Sequence, residues 1–212
     1  MITIYNSKDI NTYEKELKEF EKIYKNAFPI KNEREPFKNI IKRIGTNSCP
    51  KTKINLIKEN NSVIGWIIID YYPEINTIHP IYMAVKKEYR KQWIGTNLLN
   101  NCPDTYKNIK HIFIECEDPS KITEKDNNIN PNTRLKFYKK LWYNIVPINY
   151  IQPPLSKWRS FEKKLLLLHK WEKLDRNALK NFLYNLYKWL NHENSNLLKK
   201  LFKEIENTIY KE

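Results

Sequence analysis

Between Ile81 and Leu99 the chain changes its hydrophobic period once. Ile81-Tyr82-Met83-Ala84-Val85 is an apolar run of strand length, Lys86–Gln92 is a basic polar turn, and Trp93–Asn101 returns apolar residues at helical spacing. A strand feeding a short turn into a helix commits the chain to an α/β architecture. It also gathers positive charge. N–H groups at the start of a helix and the positive end of its dipole converge where such a turn ends, a setting that suits a pyrophosphate. Lys86, Lys87, Arg90 and Lys91 add to it, although a merely solvated turn looks the same in a chain this rich in lysine.

The flanks extend the pattern. Ile10, Tyr13, Leu17, Phe20, Ile23 and Phe28 recur at steps of three and four, which predicts a helix over 10–28 with Ser7 or Asp9 as cap and Pro29 as stop. A second helix is expected from Glu35 to Ile44, closed by Gly45. Lys53–Lys58 and Val63–Tyr72, joined by Asn60-Asn61, read as a hairpin, and a strand starts at Ile81, after Pro80. Further on come a strand at His111–Cys116, a polar loop over 117–131, a helix at Asn132–Leu141 and extended segments at Ile145–Ile151 and Phe161–Leu168. Beyond His169 the spacing is purely helical, with Leu174, Ala178, Phe182, Leu186 and Leu190 on one stripe and Leu197, Leu198, Leu201, Phe202, Ile205 and Ile209 on another. We therefore expect a domain over 1–168 and a helical extension over 169–212 packed on it.

Composition limits the function classes. With 41% hydrophobic and 29% charged residues among 212, the chain can bury a core. It offers no apolar run long enough to cross a membrane, and its first residues do not resemble a secretory signal, so we expect a cytoplasmic protein with no membrane partner. Three cysteines, Cys49, Cys102 and Cys116, suggest neither a disulfide framework nor a metal site. The net charge of +14 raises nucleic acid as a partner, but only 6 of the 38 basic residues are arginine. Lysine, isoleucine and asparagine, all with A/T-rich codons, fill 87 of the 212 positions, so genomic bias accounts for much of the basicity, and specific nucleic-acid binding is disfavoured.

The passage Arg90-Lys91-Gln92-Trp93-Ile94-Gly95-Thr96-Asn97-Leu98-Leu99 resembles the signature of the GNAT superfamily of acyl-CoA-dependent N-acyltransferases. That signature is an aliphatic strand, a Tyr-Arg turn, Arg/Gln-x-x-Gly-x-Gly/Ala and a Leu-Leu helix. Phe28-Pro29, Glu33-Arg34-Glu35-Pro36, Val63-Ile64-Gly65-Trp66, Phe137-Tyr138-Lys139-Lys140-Leu141 and Tyr150-Ile151-Gln152-Pro153-Pro154-Leu155 are similar to further family segments, in the family's order. The resemblance implies a mixed, mostly antiparallel central sheet flanked by helices. It implies acetyl-CoA, or another acyl-CoA, as co-substrate, with Met83, Ala84 and Val85 on the pantetheine and the loop Arg90, Lys91, Gln92, Trp93, Ile94, Gly95 and Thr96 on the pyrophosphate. Tyr138 matches the tyrosine that protonates the departing thiolate.

Glu115 and Glu117 lie two apart on a strand or its end, so both project to one face, with Cys116 opposite. Either could take the amine proton or bind a cationic acceptor, and either could be a solvated strand-end acid; His79 is a weaker candidate base. The acceptor expected is an amine-bearing small molecule, or a lysine or N-terminus of a protein. An acidic carrier protein or tRNA would instead use the basic surface. The competing reading is a non-catalytic GNAT-like interaction module with a decayed cofactor loop.

Two signature glycines are replaced, by Trp93 in the phosphate loop and Trp142 after Phe137–Leu141, and Trp158 stands where one branch of the superfamily turns on glycine. The whole chain holds three glycines beside six tryptophans. Ordinary divergence would explain this. So would UGA codons, written here as tryptophan, that the source organism decodes as glycine.

Overall fold

The computed structural model describes residues 2–5, 14–29, 34–44, 46, 48–122, 130–155 and 159–208. They form two compact units, residues 1–109 and 110–212.

The first unit is an antiparallel sheet in the order β1 (Ile2–Tyr5), β2 (Lys51–Glu59), β3 (Ser62–Tyr72) and β4 (Thr77–Val85). Asn60 and Asn61, with φ of 46° and 61°, make the left-handed turn that matches the twist of the β2–β3 hairpin. Helix α1 (Glu14–Ala27) lays Phe20 and Tyr24 on the sheet, their rings 4.6 and 5.7 Å from that of Trp66. Phe37 of α2 (Phe37–Arg43) closes on Phe20 at 4.9 Å. Leu98 and Leu99 anchor α3 (Ile94–Asn100) in the core. Gly65 is the point of closest approach, because a Cβ there would stand 2.9 Å from the Ile94 Cγ2 methyl.

The second unit sets β7 (Leu165–Trp171) antiparallel between β5 (His111–Glu117) and the short β6 (Asn144–Ile145). Helix α4 (Pro131–Lys140) starts on an Asn130 side chain that accepts from the Asn132 N–H at 2.8 Å. Helix α5 (Arg176–Trp189) is capped by Asp175 and stacks Phe182 on Phe113 of β5, ring centroids 4.1 Å apart. Helix α6 (Asn196–Asn207), capped by Ser195, buries Leu198, Leu201 and Ile205.

Several expectations need correction. The strand expected from Ile81 begins at Thr77 and runs through Pro80, because the pairing register shifts there, Ile68 facing Tyr82 and Ile69 facing Pro80; a bulge is where a strand tolerates a residue with no N–H. His79 therefore lies inside a strand. Strand β1 was not expected, since four residues carry too short an alternation and its partner is some fifty residues away. His169–Trp171, expected as helix, continue β7, where His111 pairs with Trp171 and Phe113 with His169. Within Ile145–Ile151 only Ile145 belongs to a strand, and the segment from Phe161 becomes one only at Leu165. The expected caps Ser7 and Asp9, Ile10 and Tyr13, Glu33, the stop at Gly45, much of the 117–131 loop, Trp158 and Ile209 lie outside the described residues.

Candidate functional site

In the first unit, Met83, Ala84 and Val85 pair with Ile67, Trp66 and Gly65 of β3, and the Lys86 N–H donates to the Ile64 carbonyl at 2.9 Å. A 3₁₀ turn over Lys87–Tyr89 then lifts the chain off the sheet. Two side chains expected at a phosphate bind their own turn instead: Arg90 Nε donates to the Val85 carbonyl at 3.2 Å, and Gln92 Nε2 to the Glu88 carbonyl at 3.0 Å. Both side chains thus brace the turn itself. Lys91 and Trp93 are both left-handed, with φ of 64° and 63°. Among the described residues no turn or loop backbone bond is donated by the amides of 91–96. Those of Ile94, Gly95 and Thr96 open α3, where the N–H groups have no partner within the helix. A run of such amides beside Lys86, Lys87 and Lys91 gathers positive potential of the kind that suits an anionic group. The Trp93 side chain is 75% exposed and points away from the core.

In the second unit, β5 alternates as expected, with Cys116 buried and Glu115 and Glu117 both partly accessible. Burial pushes the Cys116 thiol up to about 12, so it is no nucleophile. Glu117 is ion-paired with Arg134 of α4. Glu115 accepts from the Tyr150 hydroxyl and, at 2.6 Å, from the Gln152 side-chain amide. The sequence did not reveal these three partners. Arg134 was the most accessible, four residues before Tyr138 and so on the same face of α4; Tyr150 and Gln152 lie thirty-five and thirty-seven residues from Glu115, joined to it only by the fold.

Tyr138 is buried near Cys116, Arg134 and Glu117, its ring 5.9 Å from that of Tyr143. Loss of solvent raises its pKa well above the ordinary phenol value, and the nearby Cys116 adds to this, so the hydroxyl keeps its proton at neutral pH. Among the described residues that hydroxyl makes no hydrogen bond. His79, 1% exposed, lies across the β3–β4 ladder from Asp70 in the first unit. No group of metal-binding side chains occurs among the described residues, and no described helix is long and apolar enough to cross a membrane.

Residues 50–143 match the family described as acetyltransferase (GNAT) domain. Solved structures of the same fold include a GNAT-family protein from Bacteroides thetaiotaomicron, with a TM-score of 0.68 at 17% identity over 91% of this chain and 98% of that one. The ribosomal-protein-S18-alanine N-acetyltransferase of Escherichia coli gives 0.54 at 15% identity, over 84% and 98%. An aminoglycoside 6'-N-acetyltransferase complexed with coenzyme A gives 0.56 at 16% identity, over 82% and 99%. No curated protein sequence matches. The domain match covers the middle of the chain, and the solved structures share its fold.

Proposed function

We propose that this protein is an N-acyltransferase that moves an acyl group, acetyl in the simplest case, from coenzyme A to a primary amine. The observation that carries the reading is the GNAT match over 50–143, because that interval contains every residue given a role: Met83–Val85, Arg90–Thr96, Glu115, Glu117 and Tyr138. The free amides of 91–96 support it as holders of a diphosphate. A bound acyl-CoA supplies a carbonyl carbon activated as a thioester. The amine nitrogen forms the new C–N bond as the C–S bond breaks, and Tyr138 gives its hydroxyl proton to the departing sulfur. Glu115 or Glu117, directly or through water, takes the proton that the amine loses. Both carboxylates also suit a cationic acceptor, so we assign the acceptor as an amine-bearing small molecule or a protein amine. Structural relatives include enzymes for both kinds, a ribosomal-protein alanine and an aminoglycoside. We assign transfer to residues 1–168, with 169–212 as a helical extension, in a cytoplasmic protein.

Calorimetric titration of acetyl-CoA into the purified protein tests the reading. Saturable one-to-one binding is the expected result. Failure of both the chain as written and its Trp93→Gly/Trp142→Gly variant to bind would overturn it in favour of an interaction module.

A further inference from the structure

Nine residues other than glycine take a positive φ among those described, and they divide unevenly. Five are asparagine, the side chain that tolerates the left-handed region best because it is short and bonds its own backbone. One is Lys91. The remaining three are Trp93 at 63°, Trp142 at 67° and Trp171 at 105°. A bulky side chain is the poorest choice for such a backbone, since its Cβ crowds the following carbonyl.

Among the described tryptophans these three are also the exposed ones. Trp93 is 75% exposed, Trp142 81% and Trp171 53%. An indole is kept in a protein for the large apolar area it buries, and here that area faces water. Trp66 is the contrast. It is 0% exposed, paired within the sheet opposite Ala84 and Leu56, and ringed by Phe20 and Tyr24. Trp189 ends helix α5 with its side chain half-buried.

Position 142 can be read in detail. After α4 the Tyr143 N–H donates to the Tyr138 carbonyl at 3.2 Å and the Trp142 N–H to the Lys139 carbonyl at 3.0 Å, with the rings of Tyr138 and Tyr143 in contact. This is the Schellman stop, which needs a left-handed residue at position 142 and usually has glycine there. The chain builds the same stop after α5, where His192 donates to Tyr187 at 2.8 Å and Asn191 to Lys188 at 3.0 Å. There the left-handed residue is asparagine, with φ of 60°. Two identical motifs in one chain thus carry one well-suited residue and one ill-suited one.

We propose that positions 93, 142 and 171 are glycine in the protein made by its own cells, their codons being UGA read as glycine, whereas Trp66 is a genuine tryptophan. Three glycines in 212 residues, beside six tryptophans and a composition loaded with A/T-rich codons, is what such a misreading leaves behind. The structure adds Trp171, which the sequence did not single out, and keeps Trp66. The inference does not depend on the acyltransferase reading. With glycine at 93, the proposed diphosphate turn would lose a large exposed ring from its tightest residue.

The coding sequence tests this first. UGA at codons 93, 142 and 171 with UGG at codon 66 is the expected result; UGG at any of the three, or UGA at 66, overturns it. Peptide mass spectrometry of the protein isolated from its native cells tests the decoding itself. Peptides spanning 93, 142 and 171 that carry glycine support the proposal, and tryptophan in them overturns it. Acetyl-CoA binding plays no part in either measurement, so loss of the functional reading would leave this one standing.

Discussion

At the scale of single residues, the fate of two protons separates catalysis from packing. Tyr138 lies in a helix whose apolar neighbours would suit any core, yet its hydroxyl is held protonated by burial and has no hydrogen-bond partner among the described residues. Tyr138→Phe removes that oxygen and keeps the ring. We expect kcat to fall by about 100-fold with little change in acetyl-CoA affinity, the size general acid catalysis commonly supplies; an unchanged kcat in a steady-state assay would leave the tyrosine a packing residue. The two glutamates are held differently, Glu117 by the Arg134 cation and Glu115 by the Tyr150 hydroxyl and Gln152 amide. Glu115→Gln and Glu117→Gln, compared across amine acceptors, should therefore not behave alike. The variant that lowers kcat and removes or shifts the acidic limb of the pH–rate profile identifies the proton acceptor. Equal, small effects from both would remove the pair from the mechanism.

At the scale of elements, backbone conformation and side-chain identity can be weighed against each other within this chain. The stops of α4 and α5 share one hydrogen-bond pattern and differ in the left-handed residue, Trp142 or Asn191. A non-glycine residue in that region costs roughly 1–2 kcal/mol, and asparagine escapes much of it. Trp142→Gly should raise stability by about 1 kcal/mol, whereas Asn191→Gly should shift it by only tenths, since glycine also gives the unfolded chain more freedom to lose. Urea midpoints measure both, and equal shifts would contradict the account. Gly65 predicts the reverse sign. An added Cβ would stand 2.9 Å from the Ile94 methyl, in the strand against which the start of α3 packs, so Gly65→Ala should cost about 1–3 kcal/mol. An unchanged midpoint would show that α3 moves aside freely.

At the scale of the whole molecule, what could be read in advance followed the range of the interactions. The hairpin at Asn60-Asn61, the run from Met83 to Leu99 and the glutamates of β5 are set by neighbours in sequence, and the structure has them where their spacing implied. Strand β1, the continuation of β7 through Trp171 and the bonds from Tyr150 and Gln152 to Glu115 depend on partners tens of residues away, which periodicity does not record. The pairing of His111 with His169 belongs to this second group. Their rings meet at 3.0 Å, buried beside Phe113, and so couple global stability to pH. Burial lowers His169 from 6.5 to about 4, helped by His111, and lowers His111 as well against the pull of Glu172 and Asp175. Between pH 6.5 and 4 the unfolded chain thus binds more protons than the folded one. The contribution of His169 is complete above about pH 6.5 and is lost as the pH falls toward 4, by about 3 kcal/mol in all. Denaturant midpoints at about pH 7.5 and pH 5 should show the protein weaker at the lower value. The difference should shrink in a His111→Phe/His169→Leu variant, which lacks both imidazoles of the pair. Equal midpoints for the parent protein at the two pH values would mean that the pair accepts its proton without leaving the fold.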